Sequence, residues 1–205
     1  MTMFSPSGRQ ISWVIKPLVF LISLLPLLLM IWQAFNDELG ANPVEKLTHE
    51  TGLWGLNFLL ITLALTPVKR ITGMLWLVQL RRMLGLYAFF YACLHLLVYT
   101  WLDQYFLWEE IVEDIIKRPY ITLGFSAWLI LLPLALTSNR LSIRKLGKKW
   151  KNLHKLVYLA SVLVIVHFIW LVKADYAEPL IYLFILLLLL VSRLPIIARQ
   201  RLPGR

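Results

Sequence analysis

Cysteine is almost missing from this 205-residue chain: Cys93 stands alone. One thiol cannot close an intrachain disulfide, so there is no disulfide framework and no redox compartment to read from it. Charge is also scarce, at 16% of residues, and acid is scarcer than base, with 11 Asp and Glu against 21 Lys and Arg. Histidine occurs four times, as His49, His95, His154 and His167. A chain this poor in charge, 60% hydrophobic and with mean hydropathy +0.72, does not fit a soluble domain. The bilayer is its expected solvent. No internal repeat or low-complexity linker stands out.

What fills the chain is apolar runs. They lie at about 17–35, 52–66, 83–102, 120–136, 153–172 and 179–197. Each approaches the ~20 residues that a helix needs to cross a ~30 Å hydrocarbon core. The connections are too short for a second folded domain. The pattern predicts an all-α integral membrane protein, one six-transmembrane-helix bundle over residues 1–205. The N-terminal run has a basic flank and no small-x-small cleavage site after it, the pattern of a retained signal-anchor helix. Pro26 and Pro133 fall inside runs and predict kinks that neighbouring helices accommodate.

Charge placement predicts orientation. With both termini cytoplasmic, one side collects Arg9, Lys16, Lys69, Arg70, Arg81, Arg82, Arg140, Arg144, Lys145, Lys148, Lys149, Lys151, Lys155, Arg193, Arg199, Arg201 and Arg205. These are 17 of the 21 basic residues, with no acid among them. All 11 acids fall in the alternate loops, from Asp37 to Glu178. The positive-inside rule reads this as six spans with both ends on the cytoplasmic side. The net charge of +10 then reflects topology and contact with anionic lipid, not nucleic-acid binding. That includes the basic loop SNRLSIRKLGKKWKNLHK, which two spans flank.

Ionisable residues inside a membrane are costly and mark functional sites. His95, in RRMLGLYAFFYACLH, and His167 each lie about 20 Å beyond the cytoplasmic edge of the third and fifth spans, at 1.5 Å per residue. Two neutral imidazoles at matching depth on helices running the same way suit the axial ligands of a six-coordinate haem iron. A buried histidine can equally hydrogen-bond a neighbouring helix and do nothing more. Zinc fits less well, because no Cys, Asp or Glu accompanies the pair within the membrane. His154 sits at the cytoplasmic edge of the fifth span, and Arg81 at the same edge of the third, on the helix face of His95. A second porphyrin below the first could take His154 as one ligand, with Arg81 as a propionate partner or ligand. On an ideal helix His154 and His167 point about 140° apart, so both face one stack only if the helix bends. Cys93, on another face from His95, reads as a packing residue. His49, in EKLTHETGLWG, reads as a solvated residue at the periplasmic mouth of the second span, with partner docking the alternative.

The stretches HETGLWGLNFLLITLALTPVKR, RRMLGLYAFFYACLH and LSIRKLGKKWKNLHKLVYLA closely resemble the MsrQ (YedZ) family of haem-binding membrane subunits, part of the ferric-reductase-like transmembrane group. The resemblance covers nearly the whole chain. It implies a b-type haem, one or two per chain. In the wider group, two stacked haems lie between the third and fifth spans on two histidines from each. Here three of those positions are His95, His154 and His167, and the fourth is Arg81. The resemblance also implies electron transfer from the quinone pool, or from a cytosolic flavin reductase, to a periplasmic molybdopterin enzyme, MsrP, that repairs methionine sulfoxide. Catalysis then belongs to the partner. FMN is implied by resemblance only; the sequence places no site for it. The acidic loop DQYFLWEEIVEDIIKR, with Trp101 just before it and Tyr105, Phe106 and Trp108 within it suited to the interfacial belt, is the expected docking face. Two other classes stay open: a ferric or quinone reductase with a small-molecule acceptor, and a non-redox transporter or anchor whose histidines only pack.

Overall fold

The computed structural model describes residues 6–193. Five helical stretches are long and apolar enough to cross a membrane: Gly8–Phe35 (α1), Pro43–Thr72 (α2), Arg81–Asp103 (α3), Pro119–Leu136 (α5) and Lys148–Leu171. The last is divided into Lys148–Leu153 (α7) and Leu156–Leu171 (α8) by a turn at His154 and Lys155. A shorter apolar helix, Ala177–Val191 (α9), follows. The sixth expected run continues to residue 197, and its last four residues lie outside the described ones, as do Arg199, Arg201 and Arg205. Two further helices lie between spans: Trp108–Lys117 (α4) and Arg140–Leu146 (α6). Among the described residues there is no strand.

The second helix is twice as long as its apolar run because both of its ends are built to hold it. The Asn42 side chain accepts the Glu45 amide, and Pro43 occupies the first turn, where its missing N–H costs nothing. At the other end Gly73 adopts φ +72° and returns its amide to the Lys69 carbonyl. The polar segment EKLTHE therefore continues the helix beyond the hydrocarbon core. The acidic loop after α3 also departs from a plain loop. Ile111 is buried against the bundle, while Trp108, Val112 and Ile116, one turn apart, face outward. Asp114 ties this amphipathic helix down, accepting from Tyr99 Oη at 3.1 Å and pairing with Arg118 at 3.0 Å.

Helix α2 runs through the middle of the bundle. One side packs along α3, where Gly55 lets the backbones close: a Cβ there would stand 3.5 Å from the Ala92 amide nitrogen. This side carries Phe58, Leu59, Leu84, Tyr87, Ala88 and Tyr91. The other buries Leu56, Leu60 and Leu63 against Ile165, Phe168 and Leu186 of α8 and α9. Helix α5 pairs in the same way with α8, so two helical hairpins stand side by side. The outward faces, such as Leu21, Leu25, Leu28 and Trp32 of α1, are exposed apolar residues, as a lipid-facing surface requires.

Tyr91 joins α1 to this frame. Pro26 lacks an amide hydrogen and disturbs the helical ladder around it. The Tyr91 hydroxyl enters the opening next to it, accepting from the Leu27 amide at 3.2 Å and donating to the Ser23 carbonyl at 2.8 Å. Leu27 and Ser23 are an i and i−4 pair of this helix, and one fully buried phenol touches both. Tyr87 donates to the Phe20 carbonyl at 2.9 Å one turn lower.

Candidate functional site

His95 and His167 meet between the two hairpins with ring centres 6.2 Å apart and ring planes nearly perpendicular, at 79°. Each ring is held from behind by a carbonyl of the helix paired with its own. His95 Nδ1 lies 2.8 Å from the Thr48 oxygen, and His167 Nδ1 lies 2.7 Å from the Tyr120 oxygen. A carbonyl only accepts, so each Nδ1 carries the proton and each Nε2 keeps a free lone pair. This is the tautomer that a metal-ligating imidazole needs.

A glycine sits against each ring. A Cβ on Gly52 would stand 3.1 Å from His95 Nδ1 and Cε1, and one on Gly124 would stand 3.0 Å from His167 Nδ1 and 3.1 Å from Cε1. Any side chain at either position would push its imidazole out of place. The two half-sites follow one pattern. In both, the residue whose carbonyl accepts precedes the histidine by 47 residues and the glycine follows that residue by four. Thr48, Gly52 and His95 map onto Tyr120, Gly124 and His167 by one shift of 72 residues. The sequence carries this repeat in backbone geometry and three positions, with side chains too different (THETG against YITLG) for it to show as similarity.

The spacing passes a test of fit. Two metal–imidazole bonds of about 2 Å, end to end, set ring centres about 6 Å apart. Among the described residues no cluster of three or more His, Cys, Asp or Glu forms. A metal held by this pair would take its remaining ligands from outside these side chains, as from a macrocycle. A porphyrin between α3 and α8 meets that condition.

His154 is placed apart from the pair. Its ring stacks on Trp150, centres 3.9 Å apart, and Nδ1 lies 3.1 Å from the Trp150 oxygen. Trp150 is anchored in turn, donating from Nε1 to the Thr137 carbonyl at 3.0 Å. His154 Nε2 is buried with no hydrogen-bond partner. The turn at His154 and Lys155 interrupts the helix between His154 and His167. Arg81 opens α3 and acts on Arg193 as a nearby like charge. His49 is exposed, with its ring edge-on to Phe168 at 6.1 Å. Cys93 is half-buried and receives Trp128 Nε1 at 3.4 Å.

Comparison with known proteins adds the family. The model of the ferric reductase-like transmembrane component matches residues 51–165. A protein-methionine-sulfoxide reductase heme-binding subunit MsrQ from Azospira oryzae is 49% identical over 203 residues, 98% of this chain and 86% of that protein. The chain belongs to the MsrQ family of ferric reductase-like membrane proteins. MsrQ subunits from Xanthomonas oryzae pv. oryzae and Xanthomonas campestris pv. campestris are 50% and 51% identical, over 86% and 85% of the chain and 84% and 83% of their own lengths. The matched ferric reductase-like region takes in Gly52, His95, Gly124 and His154 and ends two residues before His167. No solved structure matches this MsrQ-family chain.

Proposed function

We propose that the chain is the b-type haem, electron-transferring membrane subunit of a methionine-sulfoxide reductase, with His95 and His167 as axial ligands. The observation that carries this reading is the facing imidazole pair, 6.2 Å between centres, each tautomer fixed by a backbone carbonyl. Haem bound there would supply a one-electron couple within the apolar bundle. The chain's own residues hold the ligands still: the Thr48 and Tyr120 carbonyls set ring orientation and raise imidazole basicity, and Gly52 and Gly124 let the rings lie flush on α2 and α5.

In this reading α9 belongs to the sixth span, both termini are cytoplasmic, and the histidine pair lies toward the periplasm of the bacterial inner membrane. Electrons enter from the quinone pool or a cytosolic flavin reductase and leave to a periplasmic molybdopterin partner, MsrP. The names of the relatives support the reductase assignment. FMN belongs to the proposal by family resemblance, with no residue assigned to it. A second haem toward the cytoplasm is favoured by one observation, the buried and unpartnered Nε2 of His154. His154 would be one ligand there and Arg81 a ligand or propionate partner.

The direct test is purification of the chain with and without the periplasmic reductase. A low-spin b-type spectrum, re-oxidised by the partner and methionine sulfoxide together, supports the proposal. Persistent ferric reduction without the partner favours the small-molecule reductase instead. A preparation with no Soret band identifies a non-redox anchor.

A further inference from the structure

The histidine pair leaves one polar cluster unused. Arg193, just beyond α9, reaches back into the bundle. Its Nη1 donates to Tyr158 Oη and its Nη2 to the Leu63 carbonyl, both at 2.5 Å, while its guanidinium carbon lies 5.2 Å from the Tyr158 ring centre. Its Nε is buried with no partner. Arg70, at the end of α2, donates to the Ser192 carbonyl at 3.1 Å, and Arg70 and Arg81 both act on Arg193 as like charges. Three cations thus gather at one end of α2, α3 and α9.

Among the described residues nothing neutralises them. Among the described residues the only ion pairs are Lys117–Glu113 and Arg118–Asp114, both in the loop after α3. Glu45 and Glu50 are at the far end of α2, with Glu50 about 30 Å of helix away from Arg70. Residues 194–205 contain no acidic side chain. Partly buried like charges repel strongly, and a buried cation is tolerated when an anion completes it. Arginine's planar fork suits phosphate oxygens in particular. Basic pockets between helices at a cytoplasmic membrane face are where lipid phosphates lie.

We propose that Arg70 and Arg193, with Arg81 adding to the field, form a binding site for a phosphate group, presented by an anionic lipid headgroup or as a free anion. The site is independent of the His95–His167 haem assignment and shares only Arg81 with the proposed second haem. Its test is thermal unfolding of the purified holoprotein in a neutral detergent, with phosphatidylglycerol, phosphatidylcholine or inorganic phosphate added. Phosphatidylglycerol raises the melting midpoint by about 5 °C near saturation and phosphatidylcholine does not, if the occupant is a lipid. An equal rise with inorganic phosphate identifies a soluble occupant. Arg70→Gln, on an exposed side chain that leaves the Arg193 contacts in place, cuts the rise to about 1 °C or less, and the double variant with Arg193→Gln abolishes it. If the double variant does not fold, the wild-type and Arg70→Gln comparison still decides. No rise with either phosphate source, or an equal rise in Arg70→Gln, overturns the proposal.

Discussion

Gly124 lies flush against the imidazole of His167: a Cβ added to the glycine would stand 3.0 Å from Nδ1 and 3.3 Å from Cγ. Gly52 stands in the same relation to His95, 72 residues earlier. Four residues before each glycine, a carbonyl receives the ring N–H. Each ligand is therefore positioned by two features of the neighbouring helix, one that attracts the ring and one that leaves room for it.

That relation makes Gly124→Ala and Gly52→Ala informative. In a helix interior alanine is favoured over glycine by about 1 kcal/mol, so a loss cannot come from propensity. The expected outcome is a folded chain whose low-spin absorption is weakened or whose midpoint potential is shifted, with Gly124→Ala at least as severe. Optical redox titration measures both. Wild-type spectra and potentials in both variants would mean that the rings have freedom the close contacts deny.

Tyr91→Phe removes the hydroxyl that bridges Leu27 and Ser23, together with one acceptor and one donor. The expected cost is about 0.5–2 kcal/mol, in line with interhelical hydrogen bonds in membranes. It is read as a lower midpoint of thermal or SDS-induced unfolding, with haem absorption retained. An unchanged midpoint would show that the two Tyr91 hydrogen bonds add nothing net to stability.

Much of this arrangement was legible in the sequence, and the reasons are physical. Helical rise alone put His95 and His167 at equal depth, because both helices start at a basic edge. The glycines and carbonyls behind the rings were not legible. Glycine carries no side chain to signal a role, and a carbonyl carries no residue identity at all. The extra length of α2 was hidden because its ends are held by Asn42 and Gly73 rather than by hydrophobicity. The amphipathic helix Trp108–Lys117 was hidden among acids that read as a solvated loop. Arg193 was counted only as a cytoplasmic charge, since contacts with Leu63, 130 residues earlier, have no local signature.

His154→Ala separates the two proposed haem positions. The stack on Trp150 and the unpartnered Nε2 set His154 apart from the main pair. Haem per chain is expected to fall by up to half, with the His95–His167 signal intact. Pyridine haemochrome assay against protein mass measures it. Complete loss of haem would place the main site wrongly.

Topology can be checked without any cofactor. In a Cys93→Ser background, single cysteines at Glu109 and Lys148 are expected to react differently with a membrane-impermeant maleimide on spheroplasts. The first labels from outside and the second only after lysis. Equal labelling before lysis contradicts the charge sorting.

The account turns most directly on the optical and EPR spectra of His95→Ala and His167→Ala, purified beside the wild type with haem content determined per chain. The wild type is expected to show a low-spin b-type signal, and each substitution to abolish that signal while leaving a folded membrane protein. Identical spectra in the wild type and both variants would contradict it, because the two facing imidazoles would then hold no iron.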